Sequence, residues 1–530
     1  MQSSATVALI PSFSVSSRLH CESFFPTSLP TMMICSRASV ESDSNLRASF
    51  SSLQSPHLNS PLPADQPAYV GIKVNPILYS SIFLMLLQTM QYGWSVSQMN
   101  YSRFNNKDDC DARPIAPGHC LMFPKHSASQ WMLLVNIWLV GGMLAGVTIG
   151  KIADRIGRKK THMLSAALSI IGGLLMTTAA SIPMFAIGRF IAGLASGVTG
   201  TITSGYITEV SPPHMRNKLG ISYQASRCVG GIVAVLFFFF ANTSTGWRYI
   251  AAVPVICSVI ALAATSRFMV ESPTWLLTQG RQEEAKTEIA RLFGKENVNL
   301  ALSWMGTIVR TSMADLEAES KRTSAWHELF SPAYRKQTIL AIMLSLAQQL
   351  SGTNAAFLYS SSIFKTAGVA DDRIGTLIVN SVQLVPTMIS GMLVTRFGNR
   401  CMLLSGLGAV MTSAVGLTIA MLTKVSALSI LFMATFVATY GISLGPLVFV
   451  IGSSIFPDTL RANGTAACLG ANWLGLLAIG ICFPFVAHAL GDFAFVPFIA
   501  LMLGFATYMY YCLPRPRGSR ASRSRRSSAP

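Results

Sequence analysis

Twelve apolar runs punctuate the chain between residues 76 and 513, each close to the roughly 20 residues that cross about 30 Å of hydrocarbon. They are predicted as helices near 76–97, 130–150, 162–181, 185–208, 219–241 and 248–269, and again near 337–358, 374–395, 403–422, 428–452, 464–487 and 494–513. The charged segment 270–336 separates the two sets. Within it Arg281 to Phe293 and Met313 to Phe330 read as short amphipathic helices, because Ala285, Ile289, Leu292 and Phe293 recur at helical spacing among charges. The pattern predicts an all-α membrane protein with twelve transmembrane helices and five parts. These are an extension 1–73, a first half 74–269, a linker 270–336, a second half 337–513 and a basic tail 514–530.

Inside the seventh run the pattern is broken by Gln348, Gln349 and Asn354, with Tyr359 and Ser360 one to two turns further on. Read as one continuous helix, the three amides share a broad face. Amides at that depth need partners. Two uses are open: polar contacts between helices, or the lining of a path for a neutral, hydroxyl-rich solute.

Composition places the chain among membrane proteins: 51% apolar, 12% charged where soluble domains carry about 25%, and a mean hydropathy of +0.47. The net charge of +18 does not point to nucleic acid, because the basic residues sit in short tracts beside apolar runs. Lys151, Arg155, Arg158, Lys159 and Lys160, then Arg216 and Lys218, then Arg396, Arg400, Arg461 and the tail all fall on one side of a twelve-span topology. By the positive-inside rule both termini are cytosolic. The Ser-rich residues 1–73 read as disordered, without a clean signal peptide, and a second start at Met32 or Met33 stays open. The tail reads as solvated and suited to lipid headgroups.

Ten cysteines show no ligand pattern, so no metal or cofactor is expected. Cys110 and Cys120 share the polar segment Gln98 to Ser129, where a disulfide between them is open. That segment also holds Asp108, Asp109, Asp111 and the glycosylation sequon Asn100-Tyr101-Ser102, which would make the chain a glycoprotein if it clears the bilayer on the outer side.

An internal repeat runs through the layout. Arg155-Ile156-Gly157-Arg158-Lys159 follows the second run, and Arg396-Phe397-Gly398-Asn399-Arg400 follows the eighth; Arg216 after the fourth run is echoed by Arg461 after the tenth. Two six-helix halves related by a parallel repeat are an architecture for alternating access around a midplane site.

These residues carry a family resemblance. With Asp154 added to the first basic motif, with Gly188-Arg189-Phe190, Glu209-Val210-Ser211-Pro212, Glu271-Ser272-Pro273, Gln348-Gln349-Leu350-Ser351-Gly352 and Gly445-Pro446, the chain from about 74 to 514 resembles the sugar porters of the major facilitator superfamily, the facilitative hexose transporters in particular. The resemblance implies the major facilitator fold. It also implies that Gln224, Gln348, Gln349, Asn354, Asn380, Asn472 and Trp473 contact or frame a hexose, with Phe449 as an aromatic lid where relatives commonly have Trp. Gln91 and Asn100 match family positions in or near the first span. Asp154, Arg155, Arg158, Glu209, Arg216, Glu271, Arg400 and Arg461 are expected to form a cytosolic gate of ion pairs between the halves, with Arg189 completing it.

The chain also departs from the family pattern. Ser454 replaces an acidic residue near the end of the tenth span, and Arg515-Pro516-Arg517 replaces an acidic motif after the twelfth. Arg227 stands where the family carries an apolar residue; it is expected to snorkel to the cytosolic surface, with a bundle-facing orientation as the alternative. Ser95 stands where proton symporters have Asp, and a hydroxyl does not titrate in the useful range. The expectation is a facilitative carrier of hexose, D-glucose first, with proton symport and sugar sensing as alternatives and no enzymatic activity. Membrane lipid and the sugar are its expected partners, with no nucleic acid. A monomer suffices for this function, and self-association is left open. The plasma membrane is the first choice of location, with organelle membranes open.

Overall fold

Proline at the first helical position, where no N–H is required, opens helix α1 (Pro76–Ser97). The preceding Asn75 ties that start to a short helix of the segment 270–336: its N–H donates to the Leu292 carbonyl and its side chain to that of Arg291, both at 2.8 Å. In this computed structural model residues 72–105, 110, 119–124, 126–241, 243–305, 325–366, 371–456 and 458–513 are described. The N-terminal extension, the tail, the three aspartates at 108, 109 and 111, and most of the second amphipathic segment lie outside them.

Helix α1 is followed by α2 (Ala128–Ile156), α3 (Arg158–Thr178), α4 (Ile182–Val210), α5 (Arg216–Phe237) and α6 (Gly246–Phe268), then by the short α7 (Pro273–Thr278) and α8 (Gln282–Phe293). The chain continues through α9 (Arg335–Gln349), α10 (Thr353–Thr366), α11 (Asp372–Phe397), α12 (Asn399–Thr423), α13 (Ser426–Ile442), α14 (Leu444–Ser454), α15 (Asp458–Leu490) and α16 (Val496–Cys512). Among the described residues nine helices are long and apolar enough to cross a membrane, α13 and α14 counting together as one. The chain is a multi-pass, all-α membrane protein. Helix α1 has the length but not the hydropathy, because Gln88, Thr89, Gln91 and Ser95 are buried along it. Large apolar side chains such as Phe83, Ile187, Met392 and Phe485 are exposed, which is where lipid contact belongs.

Packing repeats along the chain. Helix α1 packs on α5, α2 on α4, and α3 on both α4 and α6; later, α9 packs on α15, α11 on α13, and α12 on both α13 and α16. The two sets meet where α5 packs on α11 and α2 on α15. The basic turns repeat too: Gly157 and Gly398 link consecutive helices with φ of 93° and 79°. Only glycine adopts that region cheaply. At Gly157 a Cβ would also lie 2.5 Å from a carboxylate oxygen of Glu271.

Two helices expected to be continuous are broken. The seventh run splits into α9 and α10 at Gly352, whose φ of 89° ends the helix. The tenth splits at Ser443 into α13 and α14. Pro446 explains part of this, since it lacks the N–H that the Ile442 carbonyl would have used. Ser390 Oγ supplies the replacement at 2.8 Å. Cys110 and Cys120 are joined by a disulfide.

Candidate functional site

The polar residues of the seventh run sit on both sides of its break, not on one helical face. Gln348 Nε2 donates to the Leu444 and Gly445 carbonyls at 3.0 and 2.7 Å, and its Oε1 accepts from Asn472 Nδ2 at 2.5 Å. It therefore satisfies carbonyls at the α13–α14 break and ties α9 to α15. Gln349 Oε1 accepts from Asn354 Nδ2 across the break. Among the described residues, this leaves Gln349 Nε2 and Asn354 Oδ1 as amide groups with no protein partner. Gln349 borders a close approach, because a Cβ on Gly475 of α15 would lie 2.8 Å from its Cβ.

Trp473, next to Asn472, carries the cluster across to the first set of helices. Its ring lies 5.8 Å from that of Tyr92 on α1 and 6.1 Å from that of Trp138 on α2, and Tyr92 and Trp138 meet edge to face at 5.2 Å. Gly142 and Gly146 of α2 make room for the indole: a Cβ on either would come within 3.0 Å of it. The other face of Tyr92 is covered by Arg227, whose guanidinium carbon is 3.9 Å from the ring centroid. The snorkelling expected of Arg227 is therefore corrected. Helices α1 and α5 approach closely at Gly93 and Gly230, which brings the Arg227 backbone against α1 and sets its guanidinium beside Tyr92. Gln224, one turn earlier, faces the same guanidinium at 3.4 Å.

Asn380 on α11 accepts from Ser97 Oγ at 3.2 Å and donates to its own helix at the Thr376 carbonyl. Phe449 lies on α14, and its side chain is outside the described residues. Gln91 does not reach this region. It is bound within the first set of helices, to Gln88, Ser169 and Ser258. Asn100 is 3% exposed; its Nδ2, the atom glycosylation would modify, donates to Ser360 Oγ at 2.7 Å and the Phe357 carbonyl at 2.9 Å. That occupancy opposes use of the sequon once the chain is folded.

Several contributors besides Tyr359 were not singled out in the sequence. Pro484 in α15 lacks the N–H for the Gly480 carbonyl. Asn136 Nδ2 and Tyr359 Oη donate to that oxygen at 3.0 and 2.7 Å. The four-residue offset from a mid-helix proline was the signal. Tyr92 and Trp138 had none beyond being aromatic.

At the other end of the first helices a charged cluster forms. Arg158, the first residue of α3, pairs with Glu209 of α4 at 2.9 Å and Asp154 of α2 at 2.8 Å. The Glu271 carboxylate accepts the N–H groups of Arg158, Lys159 and Ser272 at 2.9, 3.2 and 2.9 Å, a carboxylate on the positive end of α3. Burial pushes its pKa up against the pull of those N–H groups. Arg216 donates from Nε to the Ser211 carbonyl at 3.2 Å, and burial lowers its pKa. Arg155 is exposed. In the later helices Arg400 donates to the Leu513 and Tyr510 carbonyls at the C-terminal end of α16, again matching the helix dipole. The Arg461 side chain is outside the described residues. The ion pairs expected to bridge the halves are thus, for Asp154, Arg158 and Glu209, pairs within the first set of helices.

Arg189 does not belong to this cluster, which corrects its assignment to the gate. It lies near the start of α4, 20 residues from Glu209 and so about 30 Å along the helix. It is 1% exposed and donates to the backbone carbonyls of Ser95, Leu134 and Val135 at 3.1, 3.2 and 3.4 Å, with Trp138 5.7 Å beneath it. Ser95 contributes its carbonyl, not a titrating group. The sequence has no Asp or Glu in 155–208, 210–270, 373–457 or 459–491.

Comparison with known proteins follows the same outline. The family model described as "Sugar (and other) transporter" matches residues 76–521. Facilitated glucose transporter member 4 of solute carrier family 2 from Homo sapiens is 31% identical over 461 residues, covering 84% of this chain and 89% of that protein. Plastidic glucose transporter 4 from Arabidopsis thaliana is 32% identical over 365 residues, 67% of this chain and 65% of that protein. The inward open conformation of the xylose transporter XylE from E. coli shares the fold, with a TM-score of 0.68 at 22% identity over 83% of this chain and 98% of that one.

Proposed function

The chain belongs to the sugar transporter family, and we propose that it carries a hexose, D-glucose first, down its gradient by alternating access between two six-helix halves. Membership sets it among transporters, with a small sugar and membrane lipid as its partners, and not among enzymes. The twelve crossings are read as the nine long helices together with α1, the broken pair α9–α10 and the shorter α16. The halves are 74–269 and 337–513, with 270–336 as a cytosolic linker. The repeated packing order and the paired glycine turns favour that division.

The observation that carries the reading is the junction of the Gln348–Asn472 and Gln349–Asn354 amide pairs with Trp473, whose ring meets Tyr92 and Trp138 from the other half. A hexose gives up hydrogen bonds to water on entering a bilayer and needs fixed donors and acceptors in exchange. Gln349, Asn354, Asn472, Gln224 and Asn380 are the proposed sugar-facing amides, with Trp473 and Phe449 as aromatic walls and Gln348 as their support. At the cytosolic end, Arg158 with Asp154, Glu209 and Glu271 forms the first half of the gate, and Arg155, Arg216, Arg400 and Arg461 the charges that re-pair as it opens.

Uniport is supported by Arg189, a buried cation whose partners are backbone carbonyls, in spans without carboxylates. Both termini are cytosolic in this reading. The monomer is taken as the working unit and the plasma membrane as its location, although one named relative is plastidic. Purified protein in liposomes is the test. Saturable entry of labelled glucose, unchanged by an imposed proton gradient, is expected; accumulation driven by the gradient overturns uniport, and no glucose entry overturns the hexose assignment.

A further inference from the structure

We infer that the site also takes a monosaccharide bearing a carboxylate, a hexuronate, with Arg227 as the residue that selects it. This rests on the proposed location of the sugar site. Arg227 lies one turn from Gln224, with Tyr92 of α1 beneath it, on the helix α5 that packs on both α1 and α11. Its neighbour Cys228 reaches Gln383 of α11 at 3.4 Å, and besides Tyr92 the phenols of Tyr223 and Tyr440 act on the guanidinium electrostatically.

None of these is an anion at neutral pH. Among the described residues the only side-chain acceptor of Arg227 is Gln224, at the long end of hydrogen bonding, and Arg227 Nε is buried with no partner. Arg189 shows the contrast: at 1% exposure, its guanidinium is shared among three carbonyls. A buried guanidinium without a counter-charge is costly, so a cation kept in this position leaves unspent attraction for an anion. The flat fork of guanidinium N–H groups matches a carboxylate in a way that a sugar hydroxyl does not. A uronate differs from its hexose only at the terminal carbon, so its ring can use the same amides while its carboxylate replaces the missing counter-ion.

The decisive measurement compares glucuronate with glucuronamide, the same ring with a neutral end, as competitors and as labelled substrates in liposomes holding the full-length protein. We expect glucuronate to be preferred at least tenfold over glucuronamide by the unmodified protein. Arg227→Lys should keep part of that preference and Arg227→Leu should abolish or invert it. Equal or weaker competition by glucuronate than by glucuronamide in the unmodified protein overturns the inference, and this arm does not depend on either variant folding. Glucose entry into the same vesicles reports separately on the hexose reading. If glucose fails to enter while glucuronate does, the hexose assignment falls and the anion assignment stands.

Discussion

Tyr359 donates its hydroxyl at 2.7 Å to the carbonyl of Gly480, the oxygen that Pro484 leaves without a helical donor. Asn136 donates to the same atom from α2, so one orphaned carbonyl joins α10, α15 and α2. Tyr359→Phe should lower stability by about 1 kcal/mol, the net worth of one such bond. The double variant with Asn136→Ala should cost more than the sum of the singles, because only then is the carbonyl left bare. Thermal unfolding of the four proteins in detergent checks this. Strict additivity would remove the shared-acceptor account.

Asn100 holds Phe357 and Ser360 with its amide nitrogen and accepts the Ser361 N–H at 3.1 Å. A glycan on that nitrogen would have to displace both acceptors from a buried position. Expression in a glycosylating host followed by endoglycosidase should therefore show no shift in mobility that Asn100→Gln abolishes. A shift lost in that variant would mean that the Asn100 end of α1 is modified before the chain is folded.

The spans were legible because lipid requires long apolar helices, and the observed bounds of α1 coincide with the run that begins at Pro76. The broken helices were not, since apolar residues continue on either side of Gly352 and Ser443; what breaks them is backbone geometry and carbonyl supply. The amides were visible as exceptions to an apolar pattern, but their division of labour was not. Gln348 and Gln349 are adjacent in sequence, and only the position of the Leu444 and Gly445 carbonyls separates a structural amide from an available one. Arg189 and Arg227 were misjudged for a related reason: hydropathy says that a cation is costly at depth, not which carbonyl or ring receives it.

Arg158 binds two carboxylates at the ends of α2 and α4. Arg158→Ala leaves Glu209 half-buried and unpaired, so the cluster should loosen and the side of the molecule that carries it, proposed above as cytosolic, should open more often. A cysteine introduced in place of Ser211 should react several-fold faster with a membrane-impermeant thiol reagent from that side, and glucose flux should fall. Unchanged labelling would assign the cluster to topology alone.

Burial raises the Glu271 pKa, which fixes the sign of one pH effect. A carboxyl that binds its proton more tightly when folded adds stability below its unfolded value near about 4.3 and loses that contribution as pH rises through the raised folded value. The stability of the unmodified protein relative to Glu271→Gln should therefore fall across that window. A rise would mean that the three N–H donors at the start of α3 outweigh desolvation.

Gln348 and Gln349 offer the sharpest separation of support from recognition. Gln348 spends its amide on Leu444, Gly445 and Asn472, so Gln348→Ala leaves two carbonyls and one amide buried beside the α13–α14 break. Each unsatisfied group costs about 1–3 kcal/mol, and the variant should lose thermal stability by several degrees whether or not sugar is present. Gln349 gives only its oxygen to Asn354 and keeps its donors. Gln349→Ala should therefore leave stability nearly unchanged while raising the half-saturation concentration for glucose at least tenfold, about 1.4 kcal/mol of binding. Uptake kinetics and unfolding measured on the same two preparations decide it. If Gln348→Ala weakened sugar affinity without loss of stability while Gln349→Ala did the reverse, the roles given to these neighbouring amides would have to be exchanged.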